Sequence, residues 1–344
     1  MTPISLLVMM TLMLLCSAAG TWLLRRYALA RKLMDVPNAR SSHSVATPRG
    51  GGLAFIVIYS AALLWLGASG YESWESLVGL LGAGLMLAVV GFMDDHGHIA
   101  ARWRLLVHLA AAAWLLAWLG VPMLTLGTLD IEPGWWSYVV FGLALVWLLN
   151  LFNFMDGIDG IAGTEAITVC LGGVLCYWLI GQPLLGLPAL LLAFAVLGFL
   201  FFNWPPAKIF MGDAGSGFLG ILLGGLAVQA ALVHPALLWS WVILLGVFVT
   251  DATITLFRRL MRRTRIYEAH RSHAYQRATR RHGGHLPVTL SVLLLNVFWL
   301  LPLACLVALG YAAGLIIAVV AYVPLMLVAW AYGAGLSDDE TSFV

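Results

Sequence analysis

Charge is what this chain has least of. Only 10% of its 344 residues are Asp, Glu, Lys or Arg, 62% are hydrophobic, and the mean hydropathy is +0.96. A water-soluble domain clothes its surface with about a quarter charged residues, so a soluble fold is excluded. Lysine is limited to Lys32 and Lys208. Cysteine is rare as well: Cys16, Cys170, Cys176 and Cys305 all lie inside apolar runs. That rules out a disulfide framework or a thiolate metal site and leaves them as small hydrophobic side chains. No repeat period of about 20–50 residues is present, which removes solenoid and propeller arrays. The segment Ile4 to Leu24 has basic residues after it rather than before it, the reverse of a cleavable leader, and is expected to remain as a first span.

What is present is a series of apolar runs near the ~20-residue spanning length. They fall at about 4–24, 53–70, 77–93, 105–122, 136–154, 164–181, 185–202, 217–233, 237–257, 287–308 and 313–333. The expected fold class is therefore all-α: a polytopic integral membrane protein, one domain over residues 1–344, with about eleven transmembrane helices. With the N-terminus outside, all 18 Lys and Arg residues fall on alternate connections. These hold Arg25, Arg26, Arg31, Lys32, Arg40 and Arg49, then Arg102 and Arg104, then Lys208, then nine arginines from Arg258 to Arg281. The positive-inside rule makes those connections cytoplasmic, the N-terminus periplasmic and the tail from Ser337 cytoplasmic. Trp74, Trp135, Trp136, Tyr138 and Trp239 stand near the outer ends as interfacial anchors.

The acids collect on the same inner side: Asp35, Asp94, Asp95, Asp156, Asp159, Asp213, Asp251 and Glu268 all map there. The densest stretch runs from Asn150 to Gly163 and sets Asn150, Asn153, Asp156 and Asp159 three residues apart at the end of an apolar run. On a straight helix that spacing turns the stripe by about 60° per step and leaves its ends on opposite faces. Convergence requires the helix to break, and Gly157, Gly160 and Gly163 supply a place for it. An Asp-Gly pair alone would read as a helix cap; four polar groups beside a membrane span read as a functional site.

Other inner loops add complementary groups. Arg40, His43 and Arg49 precede the glycine turn Gly50 to Gly52, a pattern suited to phosphate held by backbone N–H groups and guanidinium forks. Asp94 and Asp95 end an apolar helix, where the macrodipole makes an acidic pair unfavourable without a cation, and Mg²⁺ is the expected remedy. The loop from Asn203 to Gly217 sets Asp213 among glycines after Pro205 and Pro206, with Lys208 beside it. The last inner loop carries His270, Arg271 and His273. Zinc is disfavoured there, because His-x-x-His lacks the usual spacing and no Cys is near; a cationic clamp on a diphosphate suits the residues better. Asp251 lies inside the ninth run, placed to pair with an arginine.

The Asp94-Asp95 pair, Asn153 to Gly160, Phe202 to Ser216, and His270 with His273, in this order, resemble the bacterial polyprenyl-phosphate N-acetylhexosamine-1-phosphate transferases, of the glycosyltransferase family 4 type. The resemblance spans nearly the whole chain. It implies transfer of a sugar 1-phosphate from a UDP-sugar to undecaprenyl phosphate at the bacterial inner membrane, with Mg²⁺ (Mn²⁺ substituting) and release of UMP. It is closer to the branch that initiates O-antigen and surface polysaccharide than to the peptidoglycan branch. The latter carries adjacent histidines in the last inner loop, whereas here they are separated as His270-Arg271-Ser272-His273.

The inner loops 25–52, 94–104, 155–163, 203–216 and 258–286 are accordingly expected to form the active site. Asp213 and Asp156 are the expected metal ligands, with Asp159 orienting. Asp94 and Asp95 are candidates for base or nucleophile, Asp94 alternatively positioning the lipid phosphate. A phosphate monoester with a second pKa near ~6 is already largely dianionic at neutral pH and hardly needs a base, while a double displacement through an aspartyl phosphate stays open. Arg40, His43, Arg49, Asn150, Asn153, Asn203, Lys208, Asp251, His270, Arg271 and His273 are the expected substrate contacts, with the uracil end of the implied UDP-sugar as the alternative partner of Asp251. The lipid bilayer is the setting, a homodimer is compatible with it, and no nucleic-acid partner is expected. The rival reading is a lipid-linked sugar flippase or ion-coupled transporter, whose acids would sit near mid-bilayer between paired repeats rather than at one surface.

Overall fold

The computed structural model describes residues 2–37, 42–43, 45–97, 99–127, 129–263 and 271–336. The chain is mostly helical. In order it forms α1 (Pro3–Arg31), α2 (Gly52–Ala68), α3 (Trp74–His96), α4 (Ala101–Leu119), α5 (Trp135–Met155), α6 (Ile161–Leu179) and α7 (Leu187–Asn203). It continues with α8 (Asp213–Val233), α9 (Pro235–Leu244), α10 (Gly246–Met261), α11 (Ala274–His282), α12 (His285–Leu295), α13 (Leu301–Ala308) and α14 (Gly314–Ala331). A π-turn, Asn296–Leu300, joins α12 to α13.

The eleven predicted runs are helical, although 237–257 is divided between α9 and α10 and 287–308 among α12, the π-turn and α13, and the spanning count differs. Among the described residues eight helices are long and apolar enough to cross a bilayer: α1, α3, α5, α6, α7 with its leading turn, α8, α12 with α13, and α14. The pair α9 and α10 makes a ninth only as a span bent by 68°. At 17 residues α2 is short of that measure, and α4 opens with Arg102 and Arg104 in its first turn. The all-α expectation is corrected in one detail. Met34–Asp35 (β1) pairs antiparallel with Thr47–Pro48 (β2), and Leu124–Leu126 (β3) with Leu129–Ile131 (β4). Both ladders are too short to leave a periodic signal in the sequence.

At the centre lies α8, buried almost throughout and packed against α2, α3, α5 and α9. Lipid supplies no hydrophobic drive between helices, so close approach of small residues must do that work. A Cβ on Gly52 would stand 2.6 Å from the Gly215 Cα, and one on Gly220 would stand 2.5 Å from the Leu149 Cα. The glycines therefore let α2 and α5 touch α8 backbone to backbone. The helix starts are capped where sequence allows: Ser73 accepts from the Ser76 N–H at 3.1 Å at the start of α3. The result is a bundle whose described connections at residues 42–43, 45–51, 156–160 and 204–212 meet at one end, joined there by the bonds described next.

Candidate active site

The helix carrying Asn150, Asn153 and Asp156 does break. It ends at Met155, Asp156 leaves helical geometry at φ −83°, ψ 46°, and Gly160 turns the chain at φ +75° into α6. Such a positive φ is strained for any side chain. The Gly160 N–H donates to Asn203 Oδ1 at 3.0 Å, and Asn203 Nδ2 donates to the Ile209 carbonyl at 3.0 Å. The break is thereby tied to the loop after α7. Asp159 accepts from the Ala207 N–H at 3.0 Å and stands 3.1 Å from His285 Nδ1. Asn153, Asp156 and Asp159 all face one cavity of about 200 Å³, which Asp213, Asp35, Arg49, His43, Gln276 and His285 also line.

Asp213 opens α8. Its Oδ1 accepts from Asn153 Nδ2 at 3.1 Å, and the same amide donates to Ser216 Oγ at 3.0 Å. Behind it, Asp95 accepts from the Asp213 and Ala214 N–H groups at 3.1 and 3.4 Å and lies 3.3 Å from Arg49 Nη2. This is an N-cap supplied from another helix, a contact worth about 1 kcal/mol where measured. Asp94 pairs with Arg104 at 2.6 Å, and Arg104 reaches Asp213 at 3.9 Å. The cation expected for the Asp94-Asp95 pair is thus provided by two of the protein's own arginines and a helix start. Neither carboxylate lines the cavity.

Electrostatically the site is poised for a cation. Burial, then the nearby Asp213 and Asp95, push the Asp156 carboxyl well above the ordinary range, and Arg49 acts the other way. Among the described residues no three His, Cys, Asp or Glu side chains form a ready-made metal cage. Carboxylates that repel one another across a cavity are nevertheless a fit donor set for Mg²⁺, which commonly binds through one or two carboxylates and completes its shell with water and phosphate oxygens. On the cationic side, His43 Nε2 and Arg49 Nε are buried without hydrogen-bond partners. His43 packs edge-on against Phe210 with ring centroids 4.8 Å apart.

Other predicted contacts lie elsewhere. The Gly51 and Gly52 N–H groups, expected to be available to phosphate, are engaged by the Phe210 and Met211 carbonyls at 2.9 Å each. Asn150 turns its amide back onto the Val146 carbonyl at 2.7 Å. Lys208 is exposed and outside the cavity lining; its backbone carbonyl accepts from Arg25 Nε at 3.2 Å. Asp251 and His273 form a buried unit: Asp251 accepts from His273 Nδ1 at 3.3 Å, from the Ala274 and Tyr275 N–H groups at 2.9 Å each, and from Thr255 Oγ1 at 3.1 Å. Asp251 thus anchors the start of α11 instead of pairing with an arginine. Arg271 is exposed and its backbone carbonyl accepts from Arg280, while Arg40 and His270 lie outside the described residues.

The sequence reading missed His285 and Gln276. His285 bridges the cavity, with Nδ1 toward Asp159 and Nε2 3.1 Å from the Ser42 carbonyl. Its signal was available, a polar residue after Gly283 and Gly284 at the start of an apolar run. Gln276, on the basic helix α11, had none.

With this geometry established, comparison with known proteins is decisive. A probable undecaprenyl-phosphate N-acetylglucosaminyl 1-phosphate transferase of Bacillus subtilis (strain 168) is 32% identical over 267 residues, 75% of this chain and 72% of that protein. The profile of glycosyl transferase family 4 matches residues 77–231. The chain belongs to glycosyl transferase family 4. The matched residues run from α3 through α8 and include Asp94, Asp95, Asn153, Asp156, Asp159 and Asp213. Similarity within family 4 crosses donor types. A phospho-N-acetylmuramoyl-pentapeptide-transferase of Pelotomaculum thermopropionicum is 32% identical over 251 residues, 67% of this chain and 74% of its own. A decaprenyl-phosphate N-acetylglucosaminephosphotransferase of Mycobacterium tuberculosis is 32% identical over 215 residues, 57% of this chain and 53% of its own.

Proposed function

We propose that this protein transfers an N-acetylhexosamine 1-phosphate from a UDP-sugar to undecaprenyl phosphate at the cytoplasmic face of a bacterial inner membrane, releasing UMP. The observation that carries the reading is a juxtaposition. The polar cavity of about 200 Å³, with Asp156, Asp159 and Asp213 opposite Arg49 and His43, adjoins an apolar cavity of about 190 Å³ lined by Met155, Ile161, Tyr275, Val288 and Leu325. Met155 of the apolar cavity precedes Asp156 of the polar one directly in the chain. A substrate with a phosphate at one end and a prenyl chain at the other matches both.

In this reading Asp156 and Asp213 hold Mg²⁺, with Mn²⁺ able to replace it, and Asp159 orients the turn through Ala207 and His285. When bound, the ion supplies charge neutralisation between two anionic substrates. Arg49 and His43 offer their unpartnered nitrogens to the diphosphate. Asp95 and Asp94 act by fixing Arg49, Arg104 and the start of α8, and the dianionic lipid phosphate attacks the β-phosphorus without a general base. The carboxylates gather at one end of the bundle, which speaks against an ion-coupled transporter. The separated histidines His270 and His273 support a donor of the O-antigen or surface-polysaccharide kind over a muramoyl-pentapeptide.

The test follows the bond that breaks. With UDP-sugar labelled at its β-phosphorus, the label should move into the lipid fraction and UMP should appear in solution. Label retained on soluble UDP would mean attack at the anomeric carbon and would end the phosphotransferase reading.

A further inference from the structure

One acid within the membrane has no part in the site described so far. Glu165, on α6, is 0% exposed and Asn296 is 2% exposed. Asn296 Nδ2 donates to Glu165 Oε2 and to Thr168 Oγ1, each at 2.7 Å. Asn296 opens the π-turn between α12 and α13, and single π-turns in helices concentrate at functional positions. Glu165 Oε1 and Asn296 Oδ1 are buried without partners, so the cluster holds more hydrogen-bonding capacity than it uses internally. An ionisable side chain is costly at this depth and is kept where it has a role.

The location indicates the role. Ile161 and Leu295 line the apolar cavity of about 190 Å³. Ile161 lies one turn before Glu165 on α6, and Leu295 directly precedes Asn296. We propose that Glu165 is a positioning residue for the lipid acceptor: with Thr168 and Asn296 it clasps α6 to the π-turn after α12 and so fixes two walls of the cavity that takes the prenyl chain. The effect reaches the polar site as well, because α12 begins at His285, which stands beside Asp159, and packs against α11. The role in acceptor binding rests on the transferase reading above; the clasp itself does not.

The experiment compares the full-length parent in detergent with Glu165→Leu and Glu165→Gln, by steady-state kinetics and by hydrogen exchange of residues 271–282. Glu165→Leu should raise the KM for lipid phosphate about tenfold, the scale of an interhelical hydrogen bond in a bilayer. It should leave the donor KM within about twofold and speed exchange in α11. Glu165→Gln, which keeps the hydrogen bonding, should restore both. Parent-like acceptor KM and exchange in Glu165→Leu would overturn the proposal, as would a variant that is only less thermostable with unaltered kinetics per folded molecule. Should a well-folded parent transfer no sugar phosphate to any lipid phosphate, the transferase reading fails and the exchange comparison still decides the clasp. If Glu165→Leu does not accumulate as folded protein, Asn296→Leu removes the same clasp from its other side and is judged by the same outcomes.

Discussion

Asp156 sits where its own charge is least welcome. Burial and the Asp213 and Asp95 carboxylates raise its folded-state pKa well above the unfolded value. Over that interval the native protein binds more protons than the unfolded chain, so the stability held by the protonated form is complete below the ordinary carboxylate range and declines as pH rises toward the folded pKa. Metal binding must displace that proton, and the apparent affinity for Mg²⁺ should therefore climb by up to about tenfold per pH unit until Asp156 is ionised. Thermal unfolding with graded Mg²⁺ at about pH 6 and about pH 8 measures this. Asp156→Asn should raise the metal-free midpoint at the higher pH and remove most of the Mg²⁺ response; an undiminished response in the variant would take Asp156 out of the metal site. Asp156→Asn and Asp213→Asn should each lower turnover by about 10³-fold, as losing a strong electrostatic stabiliser does, with folded protein still recovered. At this scale the sequence was legible wherever a polar residue stood among glycines beside an apolar run, as with Asn153, Asp156, Asp159 and Asp213. It was silent on partners. The bond from the Asp213 N–H to Asp95 spans 118 residues, and no local pattern announces that the Asp94-Asp95 pair is answered by arginines and a helix start.

Among the helices, the closest crossings run through glycine. A Cβ on Gly91 would overlap the Ala214 backbone and approach the Asp213 carbonyl carbon to 2.6 Å, whereas on Gly97, six residues on, it would meet nothing nearer than the Met93 carbonyl oxygen at 3.9 Å. Backbone cannot rotate aside as a side chain can, so Gly91→Ala should cost at least the roughly 1–3 kcal/mol of ordinary overpacking. It should also push α8 and Asp213 away from α3, lowering both the unfolding midpoint and turnover; Gly97→Ala should match the parent in both. Equal behaviour of the two variants would show that α3 and α8 do not meet as described. The existence of these helices was readable because a spanning helix must be about twenty apolar residues long. Their irregularities were not. The 68° bend between α9 and α10 and the π-turn at Asn296 lie inside continuous apolar runs, and changing the path of such a run changes neither its length nor its hydropathy.

For the molecule as a whole, the site's position relative to the bilayer follows from which end of the bundle faces inward. Arg49, Arg104, Asp94, Asp95 and Asp213 are linked to one another at one end, and Asp156 and Asp159 line the same cavity as Asp213 there. At the other, Gln229 donates to Glu72 at 2.8 Å, and burial holds the Glu72 carboxyl above its usual range. The two ends differ sharply in charge: among the described residues Arg and Lys lie at the site end and its connections, the end that the positive-inside rule would place in the cytoplasm. The proposed UDP-sugar donor would be available only there, so the orientation and the proposed function stand together. In a background lacking the four native cysteines, single cysteines at Ser73 and Glu132, both exposed at the far end, should react with an impermeant maleimide added to intact cells. Cysteines at Gly97 and Lys208, exposed at the site end, should react only after the membrane is opened. The opposite pattern would place the carboxylates outside, away from any UDP-sugar, and the proposed activity would fall with the topology.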